Sequence, residues 1–215
     1  MSKTETKKQP MFDFTGNNLS LDFCNTLHDR KSTPLELLTG YDRLLVWSQD
    51  AHILTEEEAQ QLTEEARFRQ EEAAAVLQQA IDLREAIFNL CAAYIQHSPA
   101  KETDLITFNT ALSMAHSCIV PGEHGFAWDW LPKEGALDRM LWPVVRSAAD
   151  LLTSEELKDV RICASDTCGW LFIDQSKNHT RRWCDMKSCG NRAKARKHYI
   201  EKKQSNKLFS LDHTA

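Results

Sequence analysis

Four cysteines stand in two pairs toward the C-terminal end of this chain: Cys163 and Cys168, then fifteen residues, then Cys184 and Cys189. Thiolates are the commonest protein ligands of tetrahedral zinc, and two close pairs let each turn present two sulfurs to one ion. Glycine follows the second cysteine of each pair, at Gly169 and Gly190. A backbone free to take positive φ helps a turn wrap its amides round a sulfur. The spacing is four residues, where two is commoner, so a redox pair stays open as an alternative, although redox sites need only one close pair. Four sulfur ligands leave no open position for a substrate. The expectation is therefore one structural Zn(2+) per chain and no enzymatic activity.

The segment around these cysteines is basic. Residues 161–203 carry 11 Lys/Arg and 4 Asp/Glu, whereas residues 1–160 carry 14 and 26. A positive module on an acidic body suggests two jobs, the positive one directed at a polyanion. The candidate nucleic-acid contacts are Arg181, Arg182, Arg192, Lys194, Arg196 and Lys197. Arg192, near the expected helix start, is placed to reach base edges in a major groove. The alternative is that these cations merely offset the negative charge of a zinc–thiolate centre. Trp170 and Trp183 either stack on bases or pack round the metal.

The elements that must hold these residues follow from local pattern. Arg161-Ile162 and Trp170-Leu171-Phe172-Ile173 suit strands on either side of the first cysteine turn. Arg181-Arg182-Trp183 suits a further extended segment, and the second pair opens a helix over 190–203. Hairpin, connection, then helix with ligands at its start is the order of a treble-clef finger. About 45 residues bury little core, so metal must supply much of the folding energy.

Upstream, Thr33 with Pro34 and Glu36 reads as a helix start, and Thr55-Glu56-Glu57-Glu58 as a capping box opening a long helix to about residue 96. Val76, Leu77, Ala80, Leu83, Ile87, Leu90, Cys91 and Tyr94 keep a three-four spacing and predict a core-facing stripe. A helix is expected over 104–115, then a hairpin of Cys118-Ile119-Val120 against Phe126-Ala127-Trp128-Asp129-Trp130 round Pro121-Gly122-Glu123-His124-Gly125. A further helix over 137–152 contains Pro143, and a second capping box spans 153–156.

The run Cys184-Asp185-Met186-Lys187-Ser188-Cys189-Gly190-Asn191-Arg192-Ala193-Lys194-Ala195-Arg196 resembles the CGNR zinc-finger family, whose name is the tetrapeptide Cys189-Gly190-Asn191-Arg192. Cys168-Gly169-Trp170-Leu171-Phe172-Ile173-Asp174 and Arg181-Arg182-Trp183-Cys184 fit its pattern too. Leu21-Asp22-Phe23-Cys24-Asn25-Thr26-Leu27 is similar to the start of the ABATE domain, the usual partner of this finger. Together the resemblances cover about residues 14–203. They imply a proposed stress-induced bacterial transcription regulator, with a helical N-terminal domain, a DNA-binding finger, and the four cysteines as its metal ligands. The expected fold class is α+β, mainly α: a helical N-terminal domain with a small β-hairpin, and a C-terminal treble-clef-like zinc finger. The expected division is a flexible tail at 1–10, an ABATE-like helical domain at 11–157, the finger at 158–204 and a tail at 205–215.

Asp22, Asn25 and His28 cluster in that N-terminal motif. They form either a small-effector site or a buried polar network that ties the segment down. The composition, 42% hydrophobic and 27% charged over 215 residues with only 7 Gly and 6 Pro, excludes wholesale disorder and a many-turned β-sandwich. No apolar run is long enough to span a bilayer, and residues 1–10 lack the apolar stretch of a secretory signal. A cytoplasmic protein is expected. Its partner is DNA, with RNA or a protein as the alternative, a homodimer is possible, and no membrane is involved. No G-x-S-x-G elbow or phosphate-binding loop is present.

Overall fold

The computed structural model describes residues 12–115, 117–130 and 135–211. The expected tail at 1–10 and the last four residues lie outside that set. Seven α-helices occur among the described residues: α1 Leu19–Cys24, α2 Tyr41–Asp50, α3 Glu56–Phe68, α4 Gln70–Ile95, α5 Glu102–Met114, α6 Leu141–Thr153 and α7 Asn191–Leu211. Three two-stranded antiparallel ladders join them: β1 Leu27–His28 with β2 Leu35–Glu36, β3 Ser117–Gly122 with β4 Gly125–Trp130, and β5 Val160–Ile162 with β6 Leu171–Ile173. The mainly helical α+β class holds.

Helix α4 is the hub, packed against α1, α2, α3, α5 and α6. Its stripe is buried as the spacing predicts, through Val76, Ala80, Leu83, Ile87, Leu90 and Cys91, while Tyr94 at the end stays 46% exposed. The Thr55 box forms reciprocally. Glu58 N donates to Thr55 Oγ1 at 3.2 Å and Thr55 N to Glu58 Oε2 at 2.8 Å. The single long helix expected after it is broken at Arg69, whose backbone leaves the helical region at φ −128, ψ 48. The Arg69 side chain there spreads to Glu72, Glu65 and the carbonyl of Gly135. Only the Gly135 contact is long-range, 66 positions away, and the break falls in a run with helix propensity throughout.

Thr33-Pro34 opens no helix. Residues 35 and 36 form β2, paired Leu27↔Glu36 and His28↔Leu35. Glu36 is claimed from across the fold by buried Arg84, at 2.7 Å to each carboxylate oxygen, so it does not fold back as a cap. Pro143 is the third residue of α6, where its missing N–H removes no intrahelical bond. The cap that follows belongs to Ser154, not Thr153, whose hydroxyl instead donates back to the Ala149 carbonyl at 2.8 Å. The hairpin forms with its strands extended to Gly122 and Gly125, leaving Glu123-His124 as the turn.

The finger is not a separate bead. Strand β6 is buried on both faces: Leu171 and Ile173 join the helical core, while Trp170 and Phe172 face the cysteines. Period-two alternation makes this one strand a wall shared by two cores. At about 1.5–3 kcal/mol per buried aliphatic side chain, Leu171 and Ile173 tie the finger down firmly. Helix α7, expected to end near residue 203, continues to Leu211 through residues first assigned to a tail.

Candidate metal centre and basic groove

Strand β5 delivers Cys163 into the first turn. Cys163 N donates to the Trp170 carbonyl at 2.7 Å, and Ala164 N to that of Arg182 at 2.8 Å. The second pair is held by a wide helical turn, Met186–Gly190, capped by Asp185, whose carboxylate accepts from Ser188 N at 2.7 Å. All four sulfurs lie within 4.8 Å of one another and all four residues are buried. Cys168 Sγ to Cys184 Sγ and Cys184 Sγ to Cys189 Sγ both measure 3.7 Å. A tetrahedron with metal–sulfur bonds of 2.3 Å has sulfurs about 3.8 Å apart, so the donor set fits. With no cation between them the sulfurs cannot all ionise. Hydrogen bonds from the Cys168 and Cys184 thiols push Cys163 down, and the same contacts push Cys168 and Cys184 up. A divalent cation removes that conflict.

The two glycines differ. Gly169 does take φ +80, and a Cβ there would also press on Arg30 Cβ at 3.2 Å and Lys31 Cγ at 3.3 Å. Gly190 does not take positive φ; a side chain there would meet Met186 Sδ at 2.7 Å. Met186 is exposed and its thioether end can swing aside, so neither backbone freedom nor close packing compels a glycine at 190.

The residues after Gly169's neighbours in space were not singled out by spacing. Lys31 N donates to the Thr167 carbonyl at 2.9 Å and Lys31 Nζ to that of Cys163 at 2.5 Å. Beside it Arg30 holds Glu85 at 2.7 Å and lies 4.0 Å over the Phe88 ring. The first metal turn is thus gripped by a loop that is itself anchored on α4. Only a charged Arg-Lys pair marks this loop in the sequence, and nothing local says what it holds.

Asp22, Asn25 and His28 line one seam, and what they face is β6. Asp22 accepts from Gly16 N at 2.7 Å, and the Gly16 carbonyl accepts from Ile173 N at 2.9 Å. The Asn25 amide donates to the Leu171 carbonyl and its oxygen accepts from Leu171 N, both at 2.9 Å. His28 sets its ring edge-on to Trp170 at 4.7 Å, and Trp170 Nε1 donates to the Leu27 carbonyl at 3.1 Å. Of the two readings of this cluster, the geometry is that of the tying network, directed at the finger. Burial pushes His28 below its ordinary range and the Asp22 carboxyl up from 3.8 to about 6 against hydrogen bonds from Gly16 and Thr15.

That shift has a sign that can be tested. A carboxyl raised in the fold contributes stability while protonated and loses it as pH rises through about 6. Asn keeps the oxygen that serves Gly16 without the charge. Asp22→Asn is therefore expected to gain on the wild type between pH 4 and pH 7, by up to about 3 kcal/mol. The two melting temperatures, compared across that range, test it; a constant difference would rule it out.

The six basic candidates separate into three groups. Arg181 is spent inside the finger: Nε donates to the Trp183 carbonyl at 2.9 Å, Nη2 to that of Cys184, and the guanidinium lies 4.6 Å over Phe172. Arg192 donates from Nη2 to Cys189 Sγ at 3.3 Å, a contact that raises its own pKa. Its guanidinium is turned toward the metal centre. Arg182, Arg196 and Lys197 line one groove of about 560 Å³ with Trp183, Asp166 and Ile200. Arg196 pairs with Asp166 across it. Lys194 is exposed and does not line that groove.

A CGNR zinc-finger model matches residues 160–202. The ABATE model, described as "Putative stress-induced transcription regulator", matches residues 17–155. No curated protein matches the chain. No helix among the described residues is long and apolar enough to cross a membrane. With its ABATE match across the helical body and a four-cysteine centre beneath the basic helix, the chain belongs to the ABATE family and carries a CGNR zinc finger.

Proposed function

We propose that this chain is a cytoplasmic, non-enzymatic transcription regulator whose finger, folded by one structural zinc ion, binds DNA. The observation that carries the reading is the groove. Of the six candidate contact residues, three converge with an aromatic ring on one concave face next to the metal centre. Cations about a nucleic acid strand release its counterions, and an aromatic ring adds a sequence-tolerant stacking surface. All four cysteines are buried and in mutual contact, which supports a structural metal over a catalytic one. The helical domain, which grips the first metal turn, is the sensing or association module. One groove spans few phosphates, so the reading includes a homodimer.

The test is binding of the full-length protein to duplex DNA, single-stranded DNA and RNA across a salt series, with zinc measured on the same sample. Arg182→Ala, Arg196→Ala and Lys197→Ala combined are expected to weaken binding at low salt with full zinc content. Each lost phosphate contact flattens the salt slope by about 0.9. Arg192→Ala is expected to act elsewhere, lowering zinc affinity about 10- to 100-fold in a chelator competition, as loss of a hydrogen bond to a metal ligand does. No binding of the wild type to any of the three nucleic acids would defeat the proposal.

A further inference from the structure

We infer that the groove between the first metal turn and α7 receives a single unpaired nucleotide, its base stacked on Trp183 and its phosphate on Arg196 and Arg182. The inference rests on the nucleic-acid reading above and narrows it to a strand with at least one unstacked base.

The shape argues first. A helix that reads a duplex presents its cations on a protruding face that fits into the major groove. Here Arg196 and Lys197 border an open groove of about 560 Å³, with Asp166 of the first metal turn on its other side. Stacked bases of a duplex do not enter a groove between two elements, whereas one splayed nucleotide can lie along it.

The chemistry of the lining argues second. Trp183 packs in part against the buried cysteine cluster and lends the remainder of its ring to this groove, a surface on which a base can stack. Arg182 stands over that ring at 5.4 Å from its centroid, so a base that stacks there takes the place of the guanidinium, which is then free to meet the phosphate. Ile200 adds an apolar wall. Asp166 is the informative residue. A carboxylate is out of place in a site that only collects phosphates, because it repels them. It is in place where a base edge carries an amino group, as cytosine does at N4. Asp166 is at present paired with Arg196. A phosphate arriving at Arg196 replaces that carboxylate as its partner, and the released carboxylate accepts from the base. The pair is more than 60% exposed on both sides, so separating it costs little. Thymine and uracil carry a carbonyl oxygen, O4, where cytosine carries its amino group, and are expected to bind less well.

The experiment uses the full chain, zinc-loaded, with short homopolymers of dC and of dT and a duplex of matched length at fixed salt. Trp183→Ala is expected to weaken single-strand binding about 5- to 100-fold, the worth of one stacked base, with an unchanged salt slope. Trp183→Phe should restore most of it. Asp166→Asn should erase a preference for dC over dT while dT binding holds or improves. If Trp183→Ala binds single strands like the wild type while Arg196→Ala still weakens binding, the groove holds phosphate alone. The inference is then overturned and the nucleic-acid reading stands. If Trp183→Ala loses zinc, Asp166→Asn decides, since it leaves Trp183 in place: an undiminished preference for dC, or none in the wild type, overturns the inference. If the wild type binds no nucleic acid at all, both fall together.

Discussion

Cys184→Ser is expected to leave the protein without bound metal, and the damage to reach beyond the finger. Cys184 is 1% exposed and its sulfur lies 3.7 Å from those of both Cys168 and Cys189, so it is central to the ligand set. Structural zinc contributes about 10–16 kcal/mol to a small finger, as much as the whole stability of an ordinary domain. The finger has few other resources: its own buried cluster consists of the cysteines, Trp170 and Phe172. The loss then passes through β6. Once Phe172 and Trp170 lose the core on one side, Leu171 and Ile173 are held only from the other. Hydrogen exchange should show the amides of Leu171, Ile173 and Lys31, which bond across the seam to Asn25, Gly16 and Thr167, losing protection along with the finger. The amides inside α4 should keep theirs, and the melting temperature of the helical domain should fall without loss of its helices. Full metal content in the variant would remove Cys184 from the ligand set. Intact protection at Lys31 and Leu171 would show that the seam stands without the metal.

What could be read from the sequence, and what could not, divides by range. The metal centre is legible because ligation is a constraint on spacing: two pairs of cysteines, each within one turn, declare themselves. The Thr55 box is equally local, since its two hydrogen bonds join residues three apart. The seam is not local. Asn25 and Leu171 are 146 positions apart, and nothing near either says that one amide will satisfy the backbone of the other. The same distance explains the error at Thr33-Pro34, where a sound helix signal gave way to Arg84 claiming Glu36 from α4. Charge counting located the basic surface but could not tell which guanidiniums are spent internally. Arg181 and Arg192 look identical to Arg182 and Arg196 in composition. Only the fold shows the first two turned to carbonyls and a sulfur and the latter two lining the groove. Gly190 follows its cysteine as Gly169 does, yet only Gly169 takes the positive φ that the pattern suggests.

The Arg84 network lies furthest from anything sequence could reveal, and its removal has the second large expected effect. Arg84 is 2% exposed yet carries four partners: both oxygens of Glu36 at 2.7 Å, Glu85 at 2.9 Å and Thr26 Oγ1 at 3.2 Å. Burial alone would lower its pKa, but the carboxylates outweigh that and raise it. Breaking a buried pair by deleting one partner usually costs about 3–5 kcal/mol, because the other is left charged and unpaired. Here the Glu36 and Glu85 side chains are 32% and 36% exposed and can turn partly to water. Arg84→Ala is therefore expected at the lower end, about 3 kcal/mol, measured by urea unfolding. Arg84→Lys should recover only part of it, since one ammonium cannot grip both Glu36 oxygens. The double variant Arg84→Ala with Glu36→Gln should fall short of the sum of the single costs by at least about 1 kcal/mol. The effect should also reach the finger. Glu36 fixes β2, β2 fixes β1, and Glu85 holds Arg30 beside the lysine that grips the first metal turn. Faster exchange at Lys31 N in Arg84→Ala, with zinc still bound, would place this network in the support of the metal centre. A cost below about 1 kcal/mol with Lys31 unaffected would mean that water replaces Arg84 adequately and that the grip on the finger does not depend on this network.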